Sequence, residues 1–258
     1  MLYNFKIKLF YFSIFLLLIC SCAGSKSNGE NTIQDKFLTA MTHLENEKYL
    51  NAQIDFKNIV IRGTGTDLGD DAQYYLAEAY FRNKEFLLAV AEYEKLTRRM
   101  GFSPFVEDSR FKICEAYRIE SPKYYHDQEY TEKSLQRYQE FLDDYPNSKF
   151  TNEALASIEI LREKLGRKLY ESGILYMKME EFESAEISFQ KTIDLYYDTK
   201  ILNKAIQGKI KAIAKKGNLD AASDLLLKHK ESLTSENLFS ETDGELRKIQ
   251  LKSSRVSK

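Results

Sequence analysis

The chain has 258 residues, with 38 basic and 39 acidic side chains and a formal net charge of −1 at neutral pH. This balance excludes a molecule-wide positive field, so nucleic acid is not an expected partner. Glycine occurs 11 times and proline three times, which disfavours sheets built on tight hairpins, whereas abundant Leu, Lys, Glu and Ala favour helices. We therefore predict an all-α fold.

Cysteine and histidine supply no framework for disulfides or a metal. After the amino-terminal segment Cys114 is the one remaining cysteine, and the three histidines are far apart without ligand-type spacing. We predict neither a metal site nor a cofactor. Cys114 lies in an apolar stretch, so we expect a small buried hydrophobe rather than a reactive thiol.

Residues 1–21 have the organisation of a bacterial export signal. Two lysines precede the apolar run Leu9–Ile19, which is shorter than the ~20 residues that a membrane-spanning helix needs. Cys22 follows the small Ser21, as in the lipobox of bacterial lipoproteins, so we predict that Cys22 is lipidated and becomes the mature N-terminus. An ordinary secretory signal with incidental cysteines is the alternative.

The residues after Cys22 indicate where the anchor is delivered. Ala23 stands at the position where, by resemblance to the Gram-negative sorting rule, absence of Asp implies export to the outer membrane. Residues 22–31 are polar and contain Gly and Ser, which predicts a flexible tether. We expect a lipid-anchored protein on the periplasmic face of the outer membrane, since each buried acyl CH₂ contributes about 0.8 kcal/mol.

A tetratricopeptide-type pattern begins near Thr32 and recurs along the chain. Its clearest copy has Gly173, Tyr176, Ala185 and Phe189 at the Gly, Tyr, Ala and Phe positions of the pattern. The small residues would let helices approach closely, and the rings would fill the space between hairpins. The pattern predicts a tetratricopeptide-repeat superhelix of about five helix-turn-helix units.

The repeats are spaced unevenly. Their matching small residues are separated by 37, 45, 51 and 37 residues, and these residues are Ala52, Ala89, Ser134, Ala185 and Ala222. The excess over the usual 34 localises to an insertion at 120–129 and to a long helix that begins near Lys149. We predict repeats 1–3 in residues 32–147, repeats 4–5 in residues 148–232, and a flexible tail over residues 233–258.

Aromatic side chains in the second repeat suggest a contact surface. Tyr74, Tyr80 and Phe81 supply more rings than one packing seam requires. A concave groove lined with rings would suit an extended or aromatic-ended peptide. The alternative is that these rings are core with incidental surface aromatics.

The insertion in the third repeat is a second candidate surface. Loop insertions in repeat arrays often lie on a binding face. We predict that it contacts a partner through Tyr124, Tyr125, His126 and Asp127.

No pattern in the sequence indicates catalysis. Acid pairs such as Asp143-Asp144 are adjacent and do not share a helix face, so solvated charge is their expected role. Serine and histidine are not arranged as a nucleophile–base motif. We predict a protein that is not an enzyme. A hydrolase-like site carried by the array stays open, because a spatial triad needs no sequence motif.

Several stretches together resemble the BamD family, the tetratricopeptide lipoproteins of the outer-membrane β-barrel assembly machine. The resemblance covers roughly residues 20–215 and includes the lipobox and the repeat pattern of the fourth unit. Its most specific stretches are Asp127-Gln-Glu-Tyr130, Tyr145-Pro-Asn-Ser148 and Glu159-Ile-Leu-Arg-Glu-Lys164.

The resemblance implies a scaffold with two kinds of partner. One is the barrel-forming, BamA-like subunit, whose periplasmic domains would dock on the 150–230 half. The other is unfolded outer-membrane β-barrel proteins, received near Tyr74, Tyr80, Phe81 and Tyr117 and assisted in their insertion. The alternative function is that of a lipid-anchored tetratricopeptide adaptor for another envelope or secretion complex.

Overall fold

The computed structural model describes residues 32–63 and 65–256, so the predicted signal peptide, Cys22 and the tether lie outside the described residues. The described chain forms twelve helices joined by short connections. They are α1 Ile33–Glu45, α2 Tyr49–Arg62, α3 Asp67–Arg82, α4 Phe86–Arg99, α5 Val106–Glu120, α6 Glu129–Asp144, α7 Thr151–Lys178, α8 Phe182–Leu195, α9 Leu202–Lys215, α10 Leu219–Lys228, α11 Lys230–Ser235 and α12 Leu238–Val256.

One turn recurs between paired helices and identifies the repeat. Glu47, Lys84, Glu180 and Gly217 each have positive φ and each lie two residues before the second helix of a pair. In every case the next backbone N–H reaches back to the first helix, for example from Lys48 to the His43 carbonyl at 2.8 Å. This left-handed turn ends one helix and sets the start of the next. The predicted tetratricopeptide-repeat fold is confirmed.

The first helix pair has its own start signal and core. The Thr32 hydroxyl accepts a hydrogen bond from the Asp35 N–H at 3.1 Å, and the Asp35 carboxylate accepts one from the Thr32 N–H at 3.0 Å. This capping box satisfies two orphan N–H groups and begins α1 where the sequence predicts it. Between α1 and α2, Phe37 and Phe56 meet edge to face at 5.7 Å.

Phe189 fills the seam between the fourth and fifth repeats. Its ring is fully buried, and a Cβ on Gly173 would lie 2.6 Å from it, while one on Gly208 would lie 2.7 Å from it. Both glycines therefore leave room for the ring, as the pattern predicts for Gly173. Tyr176 differs from the expected seam filler, because its side chain is 37 % exposed.

Helix α7 is the long element that the repeat spacing predicts. It runs for 28 residues and joins the third repeat to the fourth without a break. Near its middle, a Cβ on Gly166 would lie 3.1 Å from Tyr196 and Ile201, so the connection after α8 packs closely against it. Arg162 ties the same connection to α7 by donating to the Asp198 carboxylate and to the Leu195 carbonyl at 2.7 Å.

The described chain forms two compact units, while the predicted grouping of repeats 1–3 and 4–5 on either side of residue 147 stays a prediction. One compact unit ends at Ala72 and the other begins at Gln73, inside α3. A buried cluster lies on both sides of residue 147, since Phe111 stacks on Phe150 at 4.2 Å and packs with Ala154 and Leu161 of α7. The third and fourth repeats share this core.

The predicted flexible tail over residues 233–258 is corrected by the structure. Helix α12 occupies residues 238–256, and Leu233, Thr242 and Leu246 are buried. Leu246 packs with Ile206 of α9 and Leu226 of α10. The segment lacks the repeat pattern because it is a single amphipathic helix that covers one apolar face, not because it fails to fold.

Among the described helices, none combines the length and the apolar character that a membrane crossing demands.

Candidate functional site

The insertion between α5 and α6 is an ordered loop held by one buried side chain. Gln128 is 3 % exposed, and its amide nitrogen donates to the backbone carbonyls of Lys123 at 2.9 Å and His126 at 3.0 Å. Its amide oxygen accepts from the Thr131 hydroxyl at 2.8 Å. Because an amide can donate and accept at once, Gln128 closes the loop onto the first turn of α6.

Helix α7 supports the loop from the other side with three cations. The Lys164 ammonium donates to the Ser121 hydroxyl at 2.6 Å, and the Lys168 ammonium donates to the His126 carbonyl at 2.9 Å. The Arg167 guanidinium lies over the Tyr124 ring, 4.4 Å from its centroid. These residues share one helix face because they are three and four positions apart.

The four predicted loop residues are brought together but have different roles. Tyr124 is half-buried under Arg167, and the Asp127 carboxylate accepts from the Glu129 N–H at 2.9 Å. Tyr125 is 59 % exposed and His126 is exposed beside it, with 4.5 Å between the rings. Tyr124 and Asp127 therefore shape the loop, while Tyr125 and His126 form its outward surface.

The predicted ring groove is more tightly packed than expected. Tyr74 stacks on Phe105 with 4.3 Å between ring centroids and lies 5.9 Å from the buried Tyr93. Burial, and then the neighbouring Glu78 carboxylate, raise the pKa of Tyr74. The ring of Tyr74 is thus mainly an internal contact, and its edge is the part that a ligand could reach.

Tyr80, Phe81 and Tyr117 lie against the same buried cluster as Tyr74. Phe81 meets Phe86 edge to face at 5.2 Å, and Tyr117 is parallel to Tyr130 at 6.1 Å. All four predicted rings are half-buried and contact a core formed by Ala77, Ala89, Val90, Tyr93, Ile113 and Ala116. The structure therefore collects them at one site, with less free ring surface than the sequence suggests.

Tyr130 connects the two candidate surfaces. It follows the insertion loop by two residues and stacks on Tyr117, and the Lys133 ammonium lies 5.5 Å from the Tyr130 ring and 5.9 Å from the Tyr117 ring. A cation over two faces adds attraction beyond the ring contact itself. The ring cluster and the loop are thereby parts of one continuous surface within the unit that begins at Gln73.

A groove of about 440 Å³ opens beside the loop. The residues that line it include three acids and one base, with Leu169 among the apolar ones; the charged residues are Asp127, Glu129, Glu132 and Lys168. The sequence pattern predicts a contact at Asp127, but it does not identify Gln128 and the α7 cations as the loop's supports. The i, i+3, i+4 spacing of Lys164, Arg167 and Lys168 was the available signal, because it puts three cations on one face.

Cys114 is buried as expected. It is 1 % exposed, its thiol donates to the Arg110 carbonyl at 3.2 Å, and burial raises its pKa. A raised pKa keeps the sulfur protonated and unreactive at neutral pH. Within the described ranges, no three His, Cys, Asp or Glu side chains are grouped in a way that could hold a metal ion.

This chain matches one family of known proteins over most of its described length. The family model YfiO, described as outer membrane lipoprotein, matches residues 30–226. The outer membrane protein assembly factor BamD of Rickettsia prowazekii (strain Madrid E) is 24 % identical over 192 residues, which cover 71 % of this chain and 74 % of that protein.

Solved repeat proteins are more distant. A tetratricopeptide repeat protein from Parabacteroides merdae is 15 % identical, with a TM-score of 0.37, over 86 % of this chain and 75 % of that one. The TPR2AB domain of yeast Sti1, solved with pHSP90, is 11 % identical, with a TM-score of 0.40, over 88 % of this chain and 100 % of that one.

The family model's match to residues 30–226 spans most of the chain and all ten helices of the five repeats except the last residues of α10. The chain therefore belongs to the YfiO family of outer membrane lipoproteins.

Proposed function

We propose that this protein is a non-catalytic scaffold in the assembly of outer-membrane β-barrel proteins. Family membership and the name of the Rickettsia relative support this role. The observation that carries the finer proposal is the insertion loop, which is held rigidly from α6 and α7 yet exposes Tyr125 and His126. A loop fixed in advance loses little entropy when a partner binds it.

The loop is proposed to contact the barrel-forming subunit. Tyr125 offers a large ring at low rotamer cost, and tyrosine is frequent among residues that dominate binding energy. Affinity would come from burying this ring and His126 against a folded periplasmic domain. No proton or group transfer is involved, so the contribution of the scaffold is to position its partners.

The half-buried rings are proposed as the contact for unfolded substrate chains. Tyr74, Tyr80, Phe81 and Tyr117 expose ring edges next to polar groups, which suits an extended chain with alternating aromatic side chains. Since each ring also supports the core, binding would use their exposed edges without displacing them.

Membrane attachment is proposed through lipid on Cys22. Replacement Cys22→Ala should release the protein into the soluble periplasmic fraction and abolish incorporation of labelled fatty acid, since the anchor is the acyl chains. A variant that stays labelled and sediments with membranes would refute the assignment.

Purification from native membranes tests the scaffold role. The wild-type protein, solubilised in mild detergent, should co-purify a barrel-forming assembly subunit. Depleting the protein should lower the amount of folded β-barrel protein in the outer membrane. Recovery of a secretion or other envelope complex in its place, with normal β-barrel levels after depletion, would favour the adaptor alternative.

A further inference from the structure

The outward face of α2 carries large apolar side chains. Leu50, Ile54 and Ile61 are 63 %, 60 % and 67 % exposed. Positions 50, 54 and 61 share one side of a helix, because they are four and seven residues apart. The other side of α2 is buried, where Phe56 meets Phe37 of α1. The helix therefore has one apolar face in the core and a second apolar face toward solvent.

The charges of α2 are distributed in keeping with this outward face. Lys57 is exposed on the same side, and Arg62 ends the helix. Asp55 is the one carboxylate in the sequence of α2, and it is turned toward α1, where it accepts a hydrogen bond from Nδ1 of His43 at 2.8 Å. An apolar stripe accompanied by cations, with no carboxylate beside it, is typical of a helix that lies in a membrane interface.

The start of α1 brings this face near the proposed lipid anchor. Arg62 lies beside Thr32, since both line one groove of about 510 Å³ between α1 and α2. Residues 23–31 separate Cys22 from Thr32, and a chain of this length spans at most about 36 Å. Helix α2 has 14 residues and is about 21 Å long. The whole face therefore lies within reach of a membrane that holds Cys22, which raises the local concentration of lipid around it.

We propose that the outward face of α2 lies in the membrane surface beside the lipid anchor of the same chain. The inference rests on the lipidation of Cys22 proposed above. Leu50, Ile54 and Ile61 lie where acyl chains meet headgroups, and Lys57 faces lipid phosphates. Three apolar side chains bind weakly by themselves, so the face attaches only while the anchor keeps it near the membrane. Attachment fixes the orientation of the first helix pair, which lipid on Cys22 alone does not do.

A single tryptophan reports on the surroundings of this face. The chain contains no tryptophan, so Ile54→Trp introduces a unique indole. The lipidated full chain would be reconstituted into vesicles of phosphatidylethanolamine and phosphatidylglycerol, with and without brominated acyl chains, which quench indole on contact. Ile54→Trp should lose about half of its emission to the brominated lipid, since an interfacial face lies about 5–10 Å deep. Leu38→Trp is the control and should lose almost none, because Leu38 is 56 % exposed but belongs to α1.

A charge placed on the face tests whether its apolar character matters. Leu50→Glu, added to Ile54→Trp, should abolish the quenching, because a carboxylate is costly to bury among acyl chains. Thr42→Glu, at an exposed position of α1, should leave the quenching of Ile54→Trp unchanged. Both substitutions change exposed side chains, and unchanged circular dichroism and thermal midpoint would show that both variants fold.

Flotation of the vesicles separates this inference from the anchor on which it rests. Protein that carries labelled fatty acid and floats, but whose Ile54→Trp emission is unquenched, overturns the inference and leaves the anchor in place. Protein that neither carries label nor floats overturns both. Equal quenching of Ile54→Trp and Leu38→Trp, or equal effects of Leu50→Glu and Thr42→Glu, also overturns the inference. Emission from Ile54→Trp that is blue-shifted but unquenched would assign the face to a second copy of the chain instead.

Discussion

Phe189 shows how single residues set the distance between repeats. Its ring occupies the space that side chains on Gly173 and Gly208 would take, so the helices α7, α8 and α9 approach around one aromatic group. Gly173 could be predicted, because it stands at a pattern position. Gly208 could not, because its role depends on a ring contributed from 19 positions earlier in the chain.

Substitution at Gly173 tests this packing. Gly173→Ala should lower the free energy of unfolding by about 1–3 kcal/mol, because the new methyl group overlaps Phe189. Gly244→Ala is the matched control, since a Cβ there meets nothing within 4 Å in α12. That variant should gain up to about 1 kcal/mol from helix propensity. Urea denaturation checks both, and a stabilised Gly173→Ala would contradict the packing.

At the scale of elements, α7 supports two connections, and the proposed contact with the barrel-forming subunit depends on the first of them. The helix supports the insertion loop through Lys164 and Lys168 and the connection after α8 through Arg162. A long helix was predictable from the repeat spacing. Its supporting contacts were not, because they join residues more than 30 positions apart.

Gln128 should control the order of the insertion loop. Gln128→Ala removes the donors to two loop carbonyls and the acceptor for Thr131, and buried groups left unpaired cost about 1–3 kcal/mol each. Amide hydrogen exchange over residues 123–128 should therefore accelerate at least tenfold. Gln136→Ala, on an exposed part of α6, should leave this exchange unchanged. Equal protection in both variants would show that the loop is held by other contacts.

The Arg162–Asp198 contact should make this connection sensitive to acid. The hydrogen bond from Arg162 lowers the pKa of Asp198 from its ordinary value of 3.8. A lowered folded-state pKa means stability that is present above pH 3.8 and lost as the pH falls through the folded value. Asp198→Asn should cost about 0.5–1 kcal/mol at pH 7 and almost nothing at pH 2.

Urea midpoints at the two pH values check this sign. Asp194 is the control, because its carboxylate accepts a hydrogen bond from Gln190 within α8. Asp194→Asn should lower the urea midpoint at pH 7 by less than Asp198→Asn does. A penalty for Asp198→Asn that persists unchanged at pH 2 would contradict the assignment.

For the molecule as a whole, α12 ends the array. It follows the region matched by the family model and covers apolar side chains of α9 and α10 through Leu246. Polar contacts fix its position, including Gln207 to Thr242 at 3.0 Å and Lys211 to Glu241 at 2.8 Å. The segment is a structural cap for the fifth repeat.

Truncating Leu246 tests the cap. Leu246→Ala should lower the free energy of unfolding by about 2–5 kcal/mol, because a buried leucine leaves a cavity. Leu227→Ala changes a 64 % exposed leucine of α10 and should stay within about 0.5 kcal/mol of wild type. Equal effects in thermal and urea unfolding would indicate that α12 contributes no core.

The parts of the fold that repeat could be predicted from the sequence, and the parts outside the repeat pattern could not. The helix pairs, the insertion and the long helix follow from local periodicity. The cap was missed because one amphipathic helix outside the pattern resembles a polar tail in composition. The close packing of Tyr74 could not be predicted, because its stacking partner Phe105 belongs to a connection that no periodicity places.

Site-specific photocrosslinking in living cells tests the central claim most directly. A photoreactive amino acid at Tyr125 should capture the barrel-forming assembly subunit, since this ring is proposed to lie in the interface. Phe102, a fully exposed ring in the connection after α4, is the control position and should capture little of it. Capture of the subunit from Phe102 as efficiently as from Tyr125, or from neither, would contradict the account.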